Sequence, residues 1–273
     1  MNPEEFEFFA AFLRERSGIS LDANKAYLVE SRMLSLIEER GIGSLSTLVA
    51  KLRSASDPSL EECVVDEMTT NETAFFRDTR PFDMLTDYMT PALLESRSTE
   101  KRLQIWSAGC STGQEPYSIA MTLKENFPEL ADWTVSILAT DICGTAIEQA
   151  REGSYSQLEV NRGLPREMLD KYFKKSGVRW NLNKDLREMV EFRKLNLIEP
   201  ITDVPPADIV FLRNVLIYFD LDVQRETLSR IRSLMNPGSF LVLGCAETTL
   251  NVDDCFERIE DLPRSGCYRL EKG

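Results

Sequence analysis

Short apolar runs alternate with helical stretches from Leu103 onward, and this alternation restricts the fold more than any other feature of the chain. Each run lies near a polar or glycine-containing turn, and the runs cover residues 103–107, 135–139, 209–212 and 240–243. Helical patterns follow most of them, at 115–125, 145–151 and 223–235. Such alternation is typical of a mostly parallel sheet covered on both faces. The sequence therefore predicts an α/β fold whose ligands bind beyond the carboxyl ends of its strands.

The first 95 residues show helical patterns only. Residues 2–5 form a capping sequence that opens the first helix, and Gly18 ends it. Further helices are predicted over 25–40, from Ser44, from residue 57 and from Pro81. We therefore predict a small all-helical N-terminal domain over 1–80, a linking helix over 81–100 and an α/β domain over 101–273.

The α/β alternation is interrupted between residues 154 and 192. This stretch contains a predicted helix over 165–173 and two strand-like runs, at 178–180 and 189–192. We interpret it as a small β-subdomain, at about 155–192, that is inserted into the connections of the main sheet.

The chain of 273 residues contains no histidine. Catalysis by Ser-His-Asp or Cys-His groups is therefore excluded, and so are HExxH zinc sites. The formal net charge of −13 argues against nucleic-acid binding, which needs a basic surface. Any chemistry must depend on carboxylates, Arg, Lys, Tyr, thiols or a cofactor.

The six cysteines form no CxxC pair and have no zinc-like spacing, so we expect no metal site. Free thiols are typical of a reducing compartment. No apolar run reaches the roughly 20 residues that a membrane-spanning helix needs. Because the N-terminus is acidic where a signal peptide would be basic, we expect a cytoplasmic protein without membrane insertion.

A glycine-containing turn follows the first predicted strand, within Trp106-Ser-Ala-Gly-Cys-Ser-Thr-Gly-Gln-Glu-Pro-Tyr117. Gly109 and Gly113 permit a tight turn and a close backbone approach, although an ordinary strand-to-helix turn explains the spacing equally well. No P-loop signature and no strict GxGxxG is present. Glu115 would repel a phosphate but suits a cationic ligand.

Asp141 ends the second predicted strand, where an acid can accept hydrogen bonds from ribose hydroxyls. Its alternative role is to cap the following helix. Two acidic loops without a phosphate cradle together favour S-adenosylmethionine over NAD or ATP.

Three further polar runs have both a functional and an ordinary interpretation. They are Leu195-Asn-Leu197, the run Leu212-Arg-Asn-Val-Leu-Ile-Tyr-Phe219 and the run Met68-Thr-Thr-Asn-Glu-Thr-Ala-Phe-Phe-Arg-Asp78. Arg213 and Asn214 need partners if they turn inward, but they also fit a solvated strand end. The third run fits a domain linker pinned by its two phenylalanines.

Taken in order, the runs at 69–77, 106–118, 139–142 and 213–219 resemble the CheR chemoreceptor glutamate methyltransferases. The resemblance covers essentially the whole chain. It implies a Rossmann-like S-adenosylmethionine-dependent methyltransferase sheet with an inserted β-subdomain, preceded by a small all-helical domain. One departure is Gln114, where many members have Glu, but Glu115 is retained.

The resemblance also implies roles for individual residues. Those expected to bind S-adenosylmethionine, or its product S-adenosylhomocysteine, are Asn71, Thr73, Arg77, Glu115, Asp141, Asn196, Leu197, Arg213 and Asn214. Arg77 and Tyr218 are expected beside the transferred methyl group and the incoming glutamate. Since a glutamate side chain is an anion at neutral pH, this reaction needs no general base.

The implied partner is the cytoplasmic helical region of chemotaxis receptors, and we expect the enzyme to be a monomer. A basic strip containing Lys25, Arg32, Lys51 and Arg53 would dock an acidic receptor, although scattered solvated charges are an equal alternative. The stretch between Trp180 and Met189 is longer than in family members that bind a receptor's C-terminal tether, which favours tether-independent action. Alternative functions are methylation of a small molecule or of RNA, and a catalytically silent cofactor-binding regulator.

Overall fold

The computed structural model describes residues 1–55, 57–259 and 266–271. Contacts divide the chain into two compact units. The helical unit comprises Met1–Thr70 and Tyr218–Val223, and the α/β unit comprises Asn71–Ile217 and Gln224–Gly273. The domain limits expected from the sequence pattern, at residues 80 and 100, stay a prediction.

Four helices form the N-terminal part of the helical unit: α1 (Pro3–Ser17), α2 (Ala26–Glu39), α3 (Leu45–Arg53) and α4 (Pro58–Met68). All except α2 begin with a side-chain cap, from Asn2, Ser44 and Asp57 respectively. The predicted capping box is confirmed, because the Asn2 side chain accepts from the Glu5 N–H and the Glu5 side chain accepts in return. Gly18 ends α1 in the left-handed conformation. The core of the unit is made of buried apolar residues such as Phe9, Leu13, Val29, Met33, Leu48 and Val64.

A nearly continuous helical segment precedes the main sheet. It runs through α5 (Arg80–Met84), a π-helical turn (Leu85–Met89) and α6 (Thr90–Ser96). The wide turn ends two residues before Pro91, which has no N–H to donate to the helical ladder. Proline therefore explains why the helix changes its hydrogen-bonding pattern at this point.

Ten strands are present in the described residues. In chain order they are β1 (Arg102–Ala108), β2 (Thr134–Asp141), β3 (Ser154–Ser156), β4 (Phe173–Ser176), β5 (Arg179–Leu182), β6 (Val190–Lys194), β7 (Ala207–Leu212), β8 (Met235–Leu243), β9 (Phe256–Arg258) and β10 (Cys267–Leu270). The remaining helices are α7 (Gln114–Asn126), α8 (Gly144–Glu152), α9 (Gln157–Asn161), α10 (Arg166–Tyr172), α11 (Lys184–Arg187) and α12 (Leu221–Ser233).

The main sheet has seven described strands in the order β6-β2-β1-β7-β8-β10-β9. The five strands from β6 to β8 are parallel, whereas β10 is antiparallel to both of its neighbours. β7 is buried along its whole length, as expected for a strand covered on both faces. The predicted α/β fold with a mostly parallel sheet is confirmed.

A separate three-stranded antiparallel sheet has the order β3-β5-β4, which confirms the inserted β-subdomain. The assignment of the run at 189–192 to this subdomain is wrong, because β6 pairs with β2 at the edge of the main sheet. Val190 and Phe192 are buried while Glu191 between them is exposed. That alternation identifies a strand but cannot tell which sheet it joins.

The connection between Trp180 and Met189 consequently has a different meaning from the one expected. It contains α11 and joins the small sheet to the main sheet, so it is not a loop within the subdomain. The length of this connection therefore does not support tether-independent action. Among the helices of the described residues, none combines the length and the apolar character that crossing a membrane requires.

Candidate functional site

Asp141, at the carboxyl end of β2, organises the loop that follows the neighbouring strand β1. Its Oδ2 accepts a hydrogen bond from the Ser111 N–H at 2.7 Å, and its Oδ1 accepts from the Cys143 N–H at 2.9 Å. The N–H groups of Gly109 and Cys110 both donate to the Thr140 carbonyl. The carboxylate therefore fixes the loops after β1 and β2 against each other.

The two glycines of this loop are required by packing inside the protein. A Cβ on Gly109 would lie 2.3 Å from Cγ2 of Val215, and one on Gly113 would lie 2.9 Å from Cβ of Ala150. Both glycines also have positive φ, at 83° and 91°. The close approach expected from the sequence is therefore an approach of the protein's own side chains.

A buried ion pair connects the start of α7 with the end of β7. Nη1 of Arg213 donates to Oε2 of Glu115 at 2.9 Å, and Oγ of Ser107 donates to Oε1 at 2.8 Å. Glu115 is 8% exposed and Arg213 is 5% exposed. The negative charge of Glu115 is thus largely balanced by Arg213, which the sequence did not indicate.

The second arm of the same guanidinium holds the loop at 71–79. Nη2 of Arg213 donates to the Arg77 carbonyl at 2.9 Å and to Oδ2 of Asp78 at 2.8 Å. Nε of Arg213 is buried and has no hydrogen-bond partner within the described part of the chain. A buried donor of this kind needs an acceptor, and a bound ligand can supply it.

The loop at 71–79 is anchored on both of its sides. Phe75 is fully buried and contacts the rings of Tyr155 and Phe173 edge to face. The Phe76 N–H donates to Oγ of Ser118 on α7 at 3.0 Å. Phe76, Asp78 and Thr79 all have positive φ, so this tight conformation needs such anchoring.

Asn71, at the start of this loop, reaches the loops after β1 and β2. Its side-chain amide donates to Sγ of Cys143 at 3.3 Å, and its carbonyl accepts from Oγ of Ser111 at 3.0 Å. Thr73 follows in the same loop and is half-buried. The loop at 71–79 and the carboxyl ends of β1, β2 and β7 therefore converge on one region.

Arg77 differs from Arg213 in its partners. Its Nη1 donates to the main-chain carbonyl of Glu72 at 3.0 Å, and it forms no ion pair within the described residues. The Glu72 carboxylate instead pairs with Arg162 at 2.6 Å. The Arg162 hydrogen bond lowers the pKa of Glu72. The half-buried guanidinium of Arg77 also contributes to the low pKa of Glu72, less than Arg162 does, but within the described residues it has no carboxylate at ion-pair distance.

The segment after β6 is connected to the same region. The Leu195 N–H donates to the Asp141 carbonyl at 2.9 Å. Next to it, Oδ1 of Asn196 accepts from the Ile198 N–H at 3.3 Å, and Leu197 is 7% exposed. The predicted pair Asn196 and Leu197 thus lies at the end of a strand that neighbours β2.

Asn214 has a φ of 59°, and its main chain is held by Glu247, a residue that sequence reasoning missed. The available signal was an acid shortly after a buried strand, the same signal that identified Asp141. Tyr218 belongs to the helical unit, in which its carbonyl accepts from the Ser20 N–H at 2.8 Å. Its expected role beside the reacting groups stays a prediction.

Two thiols near these residues are kept protonated. Burial, and to a smaller extent Asp141 and Glu115, raise the pKa of Cys110 well above its usual value. Burial and the neighbouring Asp78 raise the pKa of Cys245. Neither cysteine is therefore suited to act as a thiolate nucleophile at neutral pH.

Comparisons with known proteins agree with this organisation. Residues 4–69 match the family model of the CheR methyltransferase all-alpha domain, and residues 71–262 match that of the CheR methyltransferase SAM binding domain. The chain belongs to the CheR methyltransferase family. The chain is 43% identical to "Chemotaxis protein methyltransferase 1" of Pseudomonas aeruginosa over 264 residues, and the alignment covers 95% of each chain. Another is "Chemotaxis protein methyltransferase" of Vibrio parahaemolyticus, 38% identical over 267 residues and covering 96% of each.

Membership of the CheR family makes this chain an S-adenosylmethionine-dependent methyltransferase of the chemotaxis type. The residues present fit that cofactor. Three carboxylates, Asp78, Glu115 and Asp141, lie in this region, and a single guanidinium, that of Arg213, pairs with the first two, so an excess of negative charge suits a ligand that is positively charged on sulfur and nitrogen. The orphaned Nε of Arg213 suits a ligand carboxylate. The predicted methyltransferase fold and cofactor are both confirmed.

Proposed function

We propose that this enzyme transfers a methyl group from S-adenosylmethionine to glutamate side chains of chemotaxis receptors, forming glutamate methyl esters. The residues proposed to hold the cofactor, and its product S-adenosylhomocysteine, are Asn71, Thr73, Arg77, Glu115, Asp141, Asn196, Leu197, Arg213 and Asn214. Support comes from family membership and from the contacts that link most of these residues around the carboxyl end of the sheet.

The charge of Arg77, which lacks an ion-pair partner among the described residues, is the observation that carries the choice of substrate. Arg213 is neutralised by Glu115 and Asp78, whereas Arg77 bonds only a neutral carbonyl within the described chain. A guanidinium in this condition attracts and orients an incoming carboxylate. An acidic acceptor such as glutamate fits it, and a cationic or apolar acceptor does not.

The reaction requires positioning more than proton transfer. When bound, S-adenosylmethionine supplies a methyl carbon made electrophilic by positively charged sulfur. A receptor glutamate, with an ordinary pKa of about 4.3, is already ionised at neutral pH and needs no base. We assign to Arg77 the steering of this carboxylate, and to Tyr218 a hydrogen bond to one of its oxygens. Catalysis then depends on orientation and on the exclusion of water.

The partner proposed is the cytoplasmic helical region of the receptor, bound by a monomeric, cytoplasmic enzyme. The basic strip contributes less to docking than its composition indicates. Arg32 donates to the main-chain carbonyls of Met68 at 2.6 Å and Thr69 at 2.9 Å, so it satisfies the end of α4. Arg53 lies over the ring of Phe8 at 4.9 Å. Lys51 is exposed and is the best remaining candidate for contact with an acidic helix.

The experiment measures transfer of tritium from methyl-labelled cofactor to membranes that contain a chemotaxis receptor. We expect label on the receptor that is released as volatile methanol in mild alkali, because methyl esters hydrolyse and N-methyl groups do not. Matched controls are membranes without the receptor and a receptor whose acceptor glutamates are replaced by alanine. Alkali-stable label, or equal labelling of the alanine receptor, would contradict the proposal. Labelling of RNA or of a small molecule in the same extract would favour the alternative acceptors.

A further inference from the structure

The Glu247 carboxylate is surrounded by backbone donors from two different loops. Its Oε2 accepts from the N–H groups of Asn214 at 2.7 Å and Gly244 at 2.6 Å. Its Oε1 accepts from Val215 at 2.9 Å, with a longer contact of 3.4 Å from Ile217. Glu247 is 9% exposed. One buried carboxylate thus binds main-chain groups of both the segment after β7 and the segment after β8.

The turn that carries Glu247 is closed twice. The Glu247 N–H donates to the Gly244 carbonyl at 3.0 Å, and the Gly244 N–H donates back to the Glu247 carboxylate. The side chain therefore has one well-defined position relative to the end of β8. Since hydrogen bonds to a charged group are stronger than neutral ones, this turn holds its partners firmly.

Two glycines allow the segment at 214–217 to pack closely against the loops at the carboxyl ends of β1 and β8. A Cβ on Gly244 would lie 2.8 Å from Nδ2 of Asn214 and 3.0 Å from its main-chain nitrogen. On the other side, the missing Cβ of Gly109 makes room for Val215. The segment is thus enclosed between the loops after β1 and β8, and Glu247 supplies its polar contacts.

We refer to the hydrogen bonds from the main chain at 214–217 to Glu247 as the clamp. Asn214 is the residue whose orientation depends most on it. It has a left-handed φ of 59°, a conformation that costs energy for a residue other than glycine, although asparagine tolerates it better than most. The hydrogen bond from its N–H to Glu247 offsets that cost. Arg213 and Tyr218 lie in the chain immediately before and after the clamped residues 214–217.

We infer that Glu247 is a positioning residue for methyl transfer: it holds the main chain at 214–217 and so presents Asn214 to the cofactor. This inference rests on the proposed cofactor contact of Asn214. Glu247 acts through its backbone partners and is not assigned a contact with the reacting atoms. Gln at this position keeps the shape, but its NH₂ group would face two N–H donors that now meet an oxygen.

The test measures S-adenosylhomocysteine affinity by calorimetry for Glu247→Gln, Asn214→Ala and the double variant. We expect each single variant to weaken binding on the order of 10-fold to 100-fold. We also expect the double variant to bind S-adenosylhomocysteine no more weakly than the single variant with the lower affinity, because both substitutions remove the same contact between Asn214 and the cofactor. If the two residues acted independently, the fold-losses in affinity of the single variants would multiply in the double variant.

A matched control is Asp208→Asn, which alters another buried carboxylate that accepts a backbone N–H, from Gln104 on β1. We expect it to lower the melting temperature and leave cofactor affinity unchanged. If Glu247→Gln behaves like this control, the role is structural and the inference is overturned. Multiplying effects in the double variant overturn it as well.

The inference and the proposed function can fail separately. If Asn214→Ala binds as tightly as wild type, the proposed contact of Asn214 is wrong and the inference falls with it. If Asn214→Ala binds weakly but Glu247→Gln does not, only the inference falls. Should Glu247→Gln fail to fold, Gly244→Ala replaces it, because its Cβ would displace both Glu247 and Asn214. We then expect the same weakening and the same non-additivity with Asn214→Ala.

Discussion

Both ends of the seven-stranded sheet contain buried carboxylates that accept backbone N–H groups, but these carboxylates hold strands together at one end and loops at the other. At the amino end, Asp208 of β7 accepts from the Gln104 N–H of β1 and from the Asn236 side chain of β8, each at 2.9 Å. Arg97 completes this cluster at 3.2 Å from the carboxylate. Buried charge here joins three adjacent strands to one another, which is a contribution to stability.

At the carboxyl end, buried carboxylates bind loops instead of strands. Asp141 takes N–H groups of Ser111 and Cys143, and Glu247 takes those of Asn214 and Val215. Loops can present different side chains to a ligand without disturbing the sheet, so function concentrates at this end of α/β folds. The comparison predicts that substitutions at the carboxyl end change binding and rate, and that those at the amino end change stability only.

The largest effect is expected for Arg77→Ala, at the carboxyl end. Losing the unpaired guanidinium removes the steering of the substrate carboxylate and a proposed cofactor contact together. We expect the single-turnover rate of receptor methylation to fall on the order of 1000-fold or more. The melting temperature should hardly change, because Arg77 makes one side-chain hydrogen bond within the described residues, to Glu72.

Arg77→Lys is the matched control, since it keeps the charge but loses the planar pair of donors. It should recover part of the lost rate. A rate for Arg77→Ala within a few fold of wild type at saturating cofactor would remove the main argument for a carboxylate substrate.

Tyr218→Phe tests whether function continues along the chain beyond the clamped residues 214–217. The ring is retained and the hydroxyl is lost, so cofactor affinity should be preserved while turnover slows on the order of 10-fold to 1000-fold. For wild type, the rate should stay nearly flat from about pH 6 to 8, because the receptor carboxylate is already ionised. Single-turnover rates across this range check both expectations. A bell-shaped profile near neutrality would indicate that a titrating group takes part in the chemistry.

Local patterns made much of the fold predictable. The capping box at Asn2 and Glu5 and the alternation of strands and helices after Leu103 depend on neighbouring residues, and both are confirmed. The placement of β6 was not predictable, because burial of Val190 and Phe192 marks a strand without naming its partner. Pairing of a strand with another some fifty residues earlier is decided by the packing of the whole sheet.

In the site, too, local patterns indicated single residues, whereas contacts between distant residues were not predictable. Asp141 was identified as an acid at the end of a predicted strand, and it lies at the carboxyl end of β2 as expected. The pairing of Arg213 with Glu115 joins residues 98 positions apart, and no local pattern indicates it. Glu247 follows a buried strand as Asp141 ends one, but no sequence pattern indicates that its carboxylate binds the backbone N–H groups of the distant segment at 214–217. Local sequence patterns therefore do not predict the long-range pairing and backbone contacts of this site.

Asp141→Ala should have a moderate effect, and it contrasts directly with Asp208→Asn. Losing the carboxylate frees the Ser111 and Cys143 N–H groups and removes the proposed ribose contact. We expect cofactor affinity to fall by about 1–3 kcal/mol, measured by calorimetry. Asp208→Asn should lower the free energy of unfolding by about 2 kcal/mol, or roughly 4–8 °C in melting temperature, with unchanged affinity. Equal loss of affinity in both variants would mean that the two ends do not differ in function.

The smallest effect is expected on the helical unit, which belongs to neither end of the sheet. Lys51 is exposed on α3, so its interaction with an acidic receptor would be well solvated and worth at most about 1 kcal/mol. We expect Lys51→Glu to raise the KM for receptor about 2-fold to 5-fold, with Lys51→Gln in between and cofactor affinity unaltered. The difference between these variants should shrink as salt shortens the screening length below about 10 Å. Steady-state methylation at several salt concentrations measures this. A KM that is equal for wild type, Lys51→Glu and Lys51→Gln at low salt would contradict docking through this charge.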